Sequence, residues 1–312
     1  MTAGTDRFAP HHDWDVAIVG GGPAGLACAL TLGRAGRRVA LFDDDRPRNA
    51  PVRHSQGLLT RDGASPAELR ALGREEVLRY GVHVRDASVE AIERLGGEGF
   101  RLTPSGGDPL TARFLVLATG VVDVLPEIDG LDVCWGVTAI HCPYCHGHEW
   151  RDRPTVVLGG AAEVSLAELL TGWSEDVTLV APPGRLTGEQ RADAEAHGVR
   201  IVDGEAARLV HSRGVVEAVE LRDGTRLPAS VVYLQPPQRQ RAPFAEQLGA
   251  PVQSGAACIV ADDDGRVALP GVFVCCDASS GPQSLAASVH EGTRVGMAVN
   301  HELIVCPPAS AV

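Results

Sequence analysis

Short apolar runs alternate with glycine-rich turns and helix-forming stretches along much of the chain. Residues 15–19 predict a buried strand, and three consecutive glycines follow it at once. Residues 26–35 predict a helix that ends at Gly36, and residues 38–42 predict a second strand. A strand–helix–strand order of this kind is typical of an α/β domain built on a parallel sheet.

The same order returns in the second half of the chain. Residues 155–158 predict a strand, a glycine pair follows, and a helix and another strand are predicted over 165–170 and 177–180. The fold class predicted from this repeat is α/β, with two Rossmann-like nucleotide-binding domains. Further helices and strands are predicted at 67–80, 82–102, 114–118, 231–234, 270–277 and 284–300.

Composition and charge narrow the function classes. The chain has 312 residues, enough for two domains, and its formal net charge of -12 argues against nucleic acid or an anionic membrane as a partner. All 28 basic residues are arginine, so Schiff-base lysine chemistry and a P-loop lysine are excluded. No apolar run reaches transmembrane length, and residues 1–13 lack the apolar core of a signal peptide, so a cytoplasmic protein without a membrane partner is expected.

The eight cysteines are not expected to form a disulfide framework, because cytoplasmic thiols are kept reduced. Only Cys142 and Cys145 have the two-residue spacing of a redox pair. For the adjacent Cys275 and Cys276, a second redox pair is the less favoured alternative. The remaining cysteines are predicted to be mostly buried small apolar residues: Cys28, Cys134, Cys258, Cys275, Cys276 and Cys306.

The segment His-Cys-Pro-Tyr-Cys-His-Gly-His-Glu at 141–149 carries the main chemical prediction. Cys142 and Cys145 can close into a disulfide and reopen, which makes them a candidate redox couple. A thiol reacts as its thiolate, so a base beside it matters. His141 and His146 flank the pair, and imidazole titrates near neutral pH. We therefore predict that these two cysteines and two histidines are the catalytic residues.

Two other kinds of site fit the same segment less well. The pattern Cys-x-x-Cys-His also occurs where c-type haem is attached, but that attachment requires export. A zinc site formed by both cysteines with His146 and His148 would draw its ligands from one turn, whereas structural zinc usually binds two separated pairs. No metal is therefore predicted, and His148 is expected to be solvated or hydrogen-bonded.

The first glycine turn has the G-x-G-x-x-G spacing of a dinucleotide-binding loop. Gly20 permits the tight turn, Gly22 lets the backbone approach a pyrophosphate, and Gly25 lets the helix pack closely on the strand. The helix N-terminus then stabilises the phosphate charge. Asp43 ends the second strand, where a carboxylate can bind ribose hydroxyls. The strand, turn, helix and acid together predict a dinucleotide site.

The second glycine turn lacks that spacing and has the sequence Gly-Gly-Ala-Ala at 159–162. The strand after it is followed by Ala-Pro-Pro-Gly, which contains no acid that could bind a ribose. Arg185 is the nearest arginine that could bind a 2′-phosphate, and no second basic residue stands beside it. We therefore expect that the fold of a nicotinamide-nucleotide domain is kept here and that its binding site is lost.

Taken together, these motifs resemble the low-molecular-weight thioredoxin reductases, a family of flavoproteins. The matching segments span nearly the whole chain and are 20–25, 118–120, 142–145 and 271–277. The resemblance implies FAD as the cofactor and a discontinuous FAD-binding domain, residues 1–120 and 246–312. It also implies an inserted domain over 121–245, which carries the redox pair and a degenerate nicotinamide site.

Two departures from ordinary reductases point to one branch of that family. Those enzymes carry a basic run for NADPH and an aspartate after the second cysteine, whereas this chain has Ala-Pro-Pro at 181–183 and His146. Both features are similar to the branch that forms disulfides in small natural products such as gliotoxin, holomycin and romidepsin. Holomycin-type oxidases are the expected group, with a role in biosynthesis and antibiotic self-protection. Further similar segments are 47–49, 54–57, 62–63 and 142–147.

The resemblance also implies roles for individual residues and partners. Cys142 would face the substrate and Cys145 the flavin, and the electrons would pass to molecular oxygen to give hydrogen peroxide. The expected partners are a small dithiol substrate, oxygen, and a second copy of the chain in a homodimer. The predicted FAD-binding residues are Gly20, Gly22, Pro23, Ala24, Gly25, Asp43, Arg48, Asn49, His54, Ala118, Thr119, Gly120, Asp277, Ser284 and Leu285.

Two other functions stay open. An NADPH-dependent thioredoxin or disulfide reductase would need an unusual nucleotide site, and reduction of the flavin by NADPH would favour it. A non-enzymatic flavoprotein would act as a redox sensor or a sequestering protein, and oxygen uptake that depends on a dithiol would exclude it.

Overall fold

The computed structural model describes residues 12–96, 99–253, 257–279 and 283–305. Contacts within the chain divide it into two compact units. The first unit comprises Met1–Arg48, Ala67–Val122 and Gln238–Val312, and the second comprises Asn49–Pro66 and Asp123–Pro237. The chain therefore leaves the first unit twice and returns to it twice.

Strands and helices alternate through both units, and the α/β class predicted from the sequence is confirmed. Among the described residues the strands are β1 Trp14–Val19, β2 Val39–Asp43, β3 His83–Asp86, β4 Val89–Arg94, β5 Phe100–Pro104, β6 Leu110–Leu117, β7 Val121–Asp123, β8 Ala139–Ile140, β9 Thr155–Leu158, β10 Val177–Ala181, β11 Arg200–Asp203, β12 Ala206–Ser212, β13 Val215–Leu221, β14 Arg226–Pro228, β15 Val231–Tyr233, β16 Gln238–Gln240 and β17 Val272–Val274. The α-helices described are α1 Pro23–Arg34, α2 Pro66–Leu78, α3 Leu131–Cys134, α4 Pro143–His146, α5 Val164–Leu170, α6 Gly188–Ala196, α7 Phe244–Gln247 and α8 Leu285–Val305. Short 3₁₀ turns lie at Ala161–Glu163 and Cys276–Ala278.

The first unit is built on a mixed sheet with strand order β3-β2-β1-β6-β5-β4, and β17 also pairs with β6. The strands β1, β2, β3, β6 and β17 run parallel, whereas β4 and β5 pair antiparallel. In the centre of this sheet Ala17 of β1 is paired with Leu115 of β6. Because parallel strands share one carboxyl edge, the ends of β1, β2 and β6 bring Gly20, Asp43 and Ala118 to the same edge.

Helices α1 and α8 pack closely on each other against this sheet. A side chain at Gly292 of α8 would collide with the backbone of Ala24 in α1, so glycine permits the close approach. Val16, Leu32 and Val295, one from each of β1, α1 and α8, are almost fully buried in one core cluster. This packing fixes the N-terminus of α1 at the carboxyl edge of the sheet.

The second unit contains a parallel sheet with strand order β11-β10-β9-β15-β8 and a separate antiparallel sheet, β12-β13-β14. Every residue of β9 is buried, as expected of a parallel strand covered on both faces. Tyr233 in β15 is also buried. The carboxyl edge of the parallel sheet carries two segments, one that begins at Gly159 after β9 and one that leads from β8 to Cys142.

Predicted and observed elements agree closely in the strand–helix units and differ elsewhere. Helix α1 begins at Pro23 rather than Leu26, because proline fits the first turn of a helix. The strand predicted over 270–277 is restricted to β17 and then turns. The antiparallel sheet β12-β13-β14 had no counterpart in the prediction, and Cys306 lies outside the described residues. None of the helices in the described segments combines the length and the apolar character needed to cross a membrane.

Candidate functional site

The first glycine turn follows β1 and leads directly into α1. Gly20 has a φ of +111°, which L side chains rarely adopt, and a Cβ there would collide with the carbonyl of Ala118. A Cβ on Gly25 would collide with the carbonyl of Gly20. The amide of Ala118 donates to the Val19 carbonyl at 2.9 Å. Both glycines are therefore required by the close approach of the turn, the helix and the segment after β6.

Gly22 differs from these two glycines because the space around it is open. A Cβ built there has no neighbouring atom within 4 Å. Gly22 is the N-cap residue of α1, no side chain caps this helix, and its first turn contains no acidic residue. Pro23 occupies the first helical position, and Ala24 after it is buried. The helix end thus offers N–H donors and room for a phosphate, which the pyrophosphate of the predicted FAD requires.

Asp43, the last residue of β2, lies beside the same turn. A Cβ on Gly21 would come within 2.6 Å of its Oδ2 atom, so the carboxylate covers that glycine. The guanidinium of Arg74 in α2 lies 3.6 Å from the same carboxylate, and the amide of Asp45 donates to it at 3.2 Å. No motif pointed to Arg74, whose guanidinium faces this carboxylate and also forms an ion pair with Asp86.

Arg48 and Asp277 form an ion pair within the first unit although 229 residues separate them. Arg48 Nη1 donates to Asp277 Oδ2 at 2.8 Å and to Oε1 of Gln283 at 2.7 Å. The amide groups of Gln283 and Gln238 hydrogen-bond each other at 2.9 and 2.8 Å. Two predicted FAD-binding residues are therefore assembled, and the set of donors and acceptors suits a hydroxyl-rich ligand chain. The sequence predicted Ser284 as an FAD-binding residue but not Gln283, the residue directly before it.

Four more of the predicted FAD-binding residues lie at the ends of elements in the first unit. Thr119 and Gly120 follow β6, and Gly120 has a φ of +69° with open space where a Cβ would be. Ser284 precedes α8 and accepts the amide of Ala287 at 3.2 Å, so it caps that helix. Leu285 is the first residue of α8. Their role toward FAD remains a prediction.

Asn49 and His54 lie on a segment that belongs to the second unit. This segment is folded on itself: the amide of Ser55 donates to the carbonyl of Ala64, and the amide of Gly63 donates back to Ser55. The ring of His54 lies 3.2 Å from the Gly63 carbonyl. The first unit by itself therefore does not assemble these two predicted residues with the glycine turn.

Cys142 and Cys145 form a disulfide at the start of α4, with their Cα atoms 5.3 Å apart. Cys142 is the N-cap residue, Pro143 occupies the first helical position, and the amide of Cys145 donates to the Cys142 sulfur at 3.2 Å. The two-residue spacing explains this geometry, because one helical turn brings residues i and i+3 to the same side. The same amide can donate to a thiolate at Cys142 once the disulfide opens.

His146 ends α4 directly after Cys145 and is half-buried. Burial lowers the pKa of its imidazole below the ordinary value of 6.5, and the carboxylate of Glu149 opposes this shift. Its Nδ1 atom is shielded from solvent and has no hydrogen-bond partner among the described residues. A neutral imidazole beside a thiol is the form that can accept a proton. His141, on the other side of the pair, stacks on Trp135 with ring centroids 6.0 Å apart.

Aromatic side chains surround the redox segment although only 4% of the chain is aromatic. Tyr144, between the two cysteines, is 74% exposed and meets Trp173 edge to face, with ring centroids 5.6 Å apart. Trp173 also packs on Gly147, where a Cβ would come within 3.0 Å of the indole. An exposed ring beside the disulfide offers an apolar contact surface to a small substrate.

The other cysteines that the structure describes are free thiols: Cys28, Cys134 and Cys275 are buried as predicted, whereas Cys258 and Cys276 are half-buried. Burial raises the pKa of Cys275, and it raises the pKa of Cys276 to about 12. Thiols with a raised pKa are poor nucleophiles, which disfavours a second redox pair at Cys275 and Cys276. The zinc alternative is also disfavoured, because the disulfide consumes both thiolates of Cys142 and Cys145. His148 is exposed and lies 3.1 Å from Arg151.

The second glycine turn follows β9 and is closed by a carboxylate of the chain itself. Oε2 of Glu163 accepts the amide of Gly160 at 2.7 Å. Strand β10 continues into Pro182 and Pro183, and no acid stands at its end. The arrangement contrasts with the first turn, where Asp43 ends the second strand and the helix N-terminus carries no side-chain cap.

A family model for pyridine nucleotide-disulphide oxidoreductases matches residues 14–292 of the chain. A probable thioredoxin reductase of Arthroderma benhamiae is 31% identical over 332 residues, and the match covers 95% of this chain and 82% of that protein. The thioredoxin reductase aclD of Aspergillus oryzae is 30% identical, with 93% of this chain and 96% of that protein covered.

Two solved structures are similar over nearly their whole length. The crystal structure of HlmI has a TM-score of 0.89 and 36% sequence identity, with 95% of this chain and 94% of HlmI covered. A putative thioredoxin reductase, TrxB from Bacillus anthracis, has a TM-score of 0.88 and 28% identity, with 93% and 98% covered. The thioredoxin reductase-like fold and the resemblance drawn from the motifs are confirmed.

Proposed function

Because this chain belongs to the pyridine nucleotide-disulphide oxidoreductase family, we propose that it is an FAD-dependent oxidase that forms an intramolecular disulfide in a small dithiol. Membership makes it a thioredoxin reductase-like flavoprotein and a thiol–disulfide oxidoreductase. The proposed part is the direction of electron flow, with molecular oxygen as the final acceptor and hydrogen peroxide as its product. A holomycin-like natural product is the proposed substrate, with a role in its biosynthesis and in the self-protection of its producer.

One observation carries this proposal: the Cys142–Cys145 disulfide is followed at the next position by His146, whose imidazole is half-buried and has a lowered pKa. Burial keeps this imidazole neutral at pH 7, where it can accept a proton from a thiol. The exposed ring of Tyr144 beside the disulfide supports a small apolar substrate. A single site thus offers an oxidant, a base and a contact surface.

The thiol steps use the disulfide, and the family resemblance assigns the attacked sulfur to Cys142. A substrate thiolate attacks the sulfur of Cys142, the disulfide opens, and Cys145 leaves as a thiolate. The second substrate thiolate then attacks the substrate sulfur of the mixed disulfide, which closes the substrate ring and releases Cys142. The substrate loses two electrons and two protons, and the cysteine pair gains them. FAD, when bound, accepts the electron pair from the dithiol and passes it to oxygen.

We propose that His146 is the base that keeps Cys145 as a thiolate after the disulfide opens. Its position next to Cys145 and its lowered pKa support this role. His141 is the alternative base, and Trp135 limits its ring by stacking.

We assign FAD to the first unit and treat the second unit as the inserted domain that carries the redox pair. The residues that would hold the pyrophosphate are those of the open turn and the N-terminus of α1, with Gly22 at its centre. Asp43 would accept ribose hydroxyls, and the Arg48–Asp277 pair would hold the polar chain of the cofactor.

An NADPH-dependent disulfide reductase is the second candidate, because relatives of the chain are named thioredoxin reductases. The second glycine turn disfavours NADPH binding. Its amide at Gly160 already binds the carboxylate of Glu163, and Arg185 stands alone after β10 to bind the 2′-phosphate of NADPH. Electrons are therefore proposed to enter from the dithiol and not from a nicotinamide.

Oxygen consumption by the FAD-loaded protein tests the proposal. The purified protein is given a panel of reduced small dithiols without nicotinamide, and oxygen uptake and peroxide are measured together. We expect uptake of one oxygen per dithiol oxidised, and its loss in Cys142→Ser and Cys145→Ser. Cys134→Ala is the matched control, because Cys134 is a buried free thiol of the same unit. Rapid anaerobic reduction of the flavin by NADPH, with no oxygen uptake from any dithiol, would establish the reductase instead.

Two further expectations complete the proposal. The free thiols described at Cys28, Cys134, Cys258, Cys275 and Cys276 support a reducing compartment, so the cytoplasm is the proposed location. A homodimer is proposed from the family resemblance, and light scattering of the FAD-loaded protein checks it: a mass of 32.7 kDa would identify a monomer and overturn it.

A further inference from the structure

The second glycine turn occupies the place of a nucleotide site in its sheet. It follows β9, which lies between β10 and β15 in the order β11-β10-β9-β15-β8. The strand order reverses at this point, and in open parallel sheets the crevice at such a reversal binds ligands. The strand order of the second unit therefore places Gly159 and Gly160 at the position where such a crevice forms in folds of this kind.

Glu163 fills that turn with its own side chain. Its Oε2 atom accepts the Gly160 amide at 2.7 Å. A Cβ on Gly159 would collide with the same carboxylate, so the carboxylate lies across both glycines. The Cβ atom of Arg185 would lie 3.4 Å from a Cβ built on Gly160, an ordinary van der Waals distance. Glu163 therefore covers the turn, and Arg185 lies close to it.

The chemistry of this contact is that of a phosphate contact. Backbone amides at a strand–helix turn bind phosphate oxygens because they are oriented donors with no internal partner. A carboxylate on such an amide makes a charge-assisted hydrogen bond of the same kind. It also places a negative charge where the pyrophosphate of a dinucleotide would carry its own. Binding a dinucleotide would require loss of this hydrogen bond and displacement of the charge.

The first turn shows what the same local order looks like without such a side chain. At Gly22 a Cβ would have open space, and no acidic residue lies in the first turn of α1. At the start of the helix the two turns thus differ by one carboxylate, that of Glu163, three residues after Gly160.

We propose that Glu163 is a specificity-determining residue that takes the place of a dinucleotide phosphate and closes the second unit to NADPH and NADH. The inference rests on the proposed function and deepens it, because it explains why electrons reach the cofactor only through the disulfide. Glu163 takes no part in the thiol steps, which occur at Cys142 and Cys145.

Calorimetric titration with NADP⁺ and NAD⁺ tests the proposal on the FAD-loaded protein. We expect millimolar or weaker binding by the wild-type protein, and at least tenfold tighter binding of one of the two nucleotides by Glu163→Ser. Glu163→Gln keeps the size of the side chain and a hydrogen-bond acceptor but removes the charge, so its gain should be smaller. Glu175→Gln, which changes an exposed carboxylate of the same unit, should bind like the wild type.

Two results would overturn the proposal: micromolar binding of either nucleotide by the wild-type protein, or no tighter binding by Glu163→Ser. If Glu163→Ser does not fold, as judged by its thermal melting, the binding constant of Glu163→Gln decides in its place. Dithiol-dependent oxygen uptake is measured on the same preparations. Its absence in every variant would sink the proposed function without changing the binding result, and unchanged binding with normal uptake would sink only the role of Glu163.

Discussion

The two glycine turns of this chain share the order strand, turn and helix. They differ in the source of the negative charge that binds the backbone amides of the turn. In the first turn the space around Gly22 is open and α1 has no side-chain cap, so the amides at the helix N-terminus can bind an external anion. In the second turn the carboxylate of Glu163 accepts a hydrogen bond from the amide of Gly160. A strand and a glycine-rich turn therefore specify a shape, and we propose that one side chain at the helix start decides whether that shape binds a nucleotide.

The comparison also separates two tasks that one fold can perform. The first unit has an acid, Asp43, at the end of its second strand, and the guanidinium of Arg74 lies 3.6 Å from it. The second unit has no acid at the end of β10 but presents the disulfide of Cys142 and Cys145 after β8. The parallel sheet of the second unit does not depend on a bound nucleotide, because its buried strands are held by apolar packing.

The strongest test of the comparison is to close the first turn. Gly22→Val should yield folded protein without bound flavin and without oxygen uptake, because a side chain would fill the open space. Each hydrogen bond to a charged group contributes about 1.5–3 kcal/mol, so FAD affinity should fall about 100-fold or more. Flavin absorbance of the purified protein measures this. Gly188→Val, at another open glycine at a helix start, is the control and should retain its flavin.

The second test concerns the proposed thiol chemistry of the second unit and its base, His146. His146→Asn should lower kcat by about 100- to 10 000-fold, the usual contribution of a general base. In the wild type, kcat/KM should be flat near pH 7 and fall only in acid below 6.5, because burial lowers the pKa of His146 and protonation removes the base. In the variant that acid limb should disappear. His148→Asn is the control, and an unchanged pH profile in His146→Asn would assign the base to another residue.

A smaller effect is expected at the acid that distinguishes the first unit. Asp43→Asn keeps the shape of the side chain but removes the charge that pairs with Arg74. A hydrogen bond to a charged group exceeds a neutral one by about 1 kcal/mol, so FAD should bind about five- to tenfold more weakly. Fluorescence titration of the apoprotein with FAD measures the dissociation constant. Asp45→Asn, which removes an acid paired with Arg70 instead, should bind FAD as the wild type does.

The smallest effect concerns the stability of the closed turn. Glu163→Ala removes the side chain that satisfies the Gly160 amide, and loss of such a cap costs about 0.5–2 kcal/mol in free energy of unfolding. Urea unfolding compared with Glu175→Ala measures the difference. Equal stability of the two variants would mean that the hydrogen bond of Glu163 is replaced by water and does not hold the turn.

Much of the fold could be predicted because the apolar runs are short and the glycines stand directly after them. The strands over 155–158 and 177–180 and the helix after Gly22 follow from local pattern alone. The antiparallel sheet β12-β13-β14 could not be predicted in the same way, since its pairing depends on contacts between strands rather than on the local order of residues.

The candidate site divides along the same line. Cys142 and Cys145 could be paired from their spacing, because a single turn of helix brings them together. Arg74 and Gln283 could not be found, because each acts through a contact with a residue far away in the sequence. Glu163 is visible in the sequence as an acid three residues after a turn glycine. The same pattern also fits an ordinary helix cap, so it did not identify the contact.

By itself the sequence determined the order of strands and helices, the open spacing of the first turn, the redox pair and its neighbouring histidines. These features are local: they depend on residues a few positions apart and on the backbone freedom of glycine. The tertiary structure alone decided that burial lowers the pKa of the His146 imidazole, that Arg48 pairs with Asp277, and that the carboxylate of Glu163 covers the second turn. Burial and long-range ion pairs arise only when distant segments pack, so no local pattern could specify them.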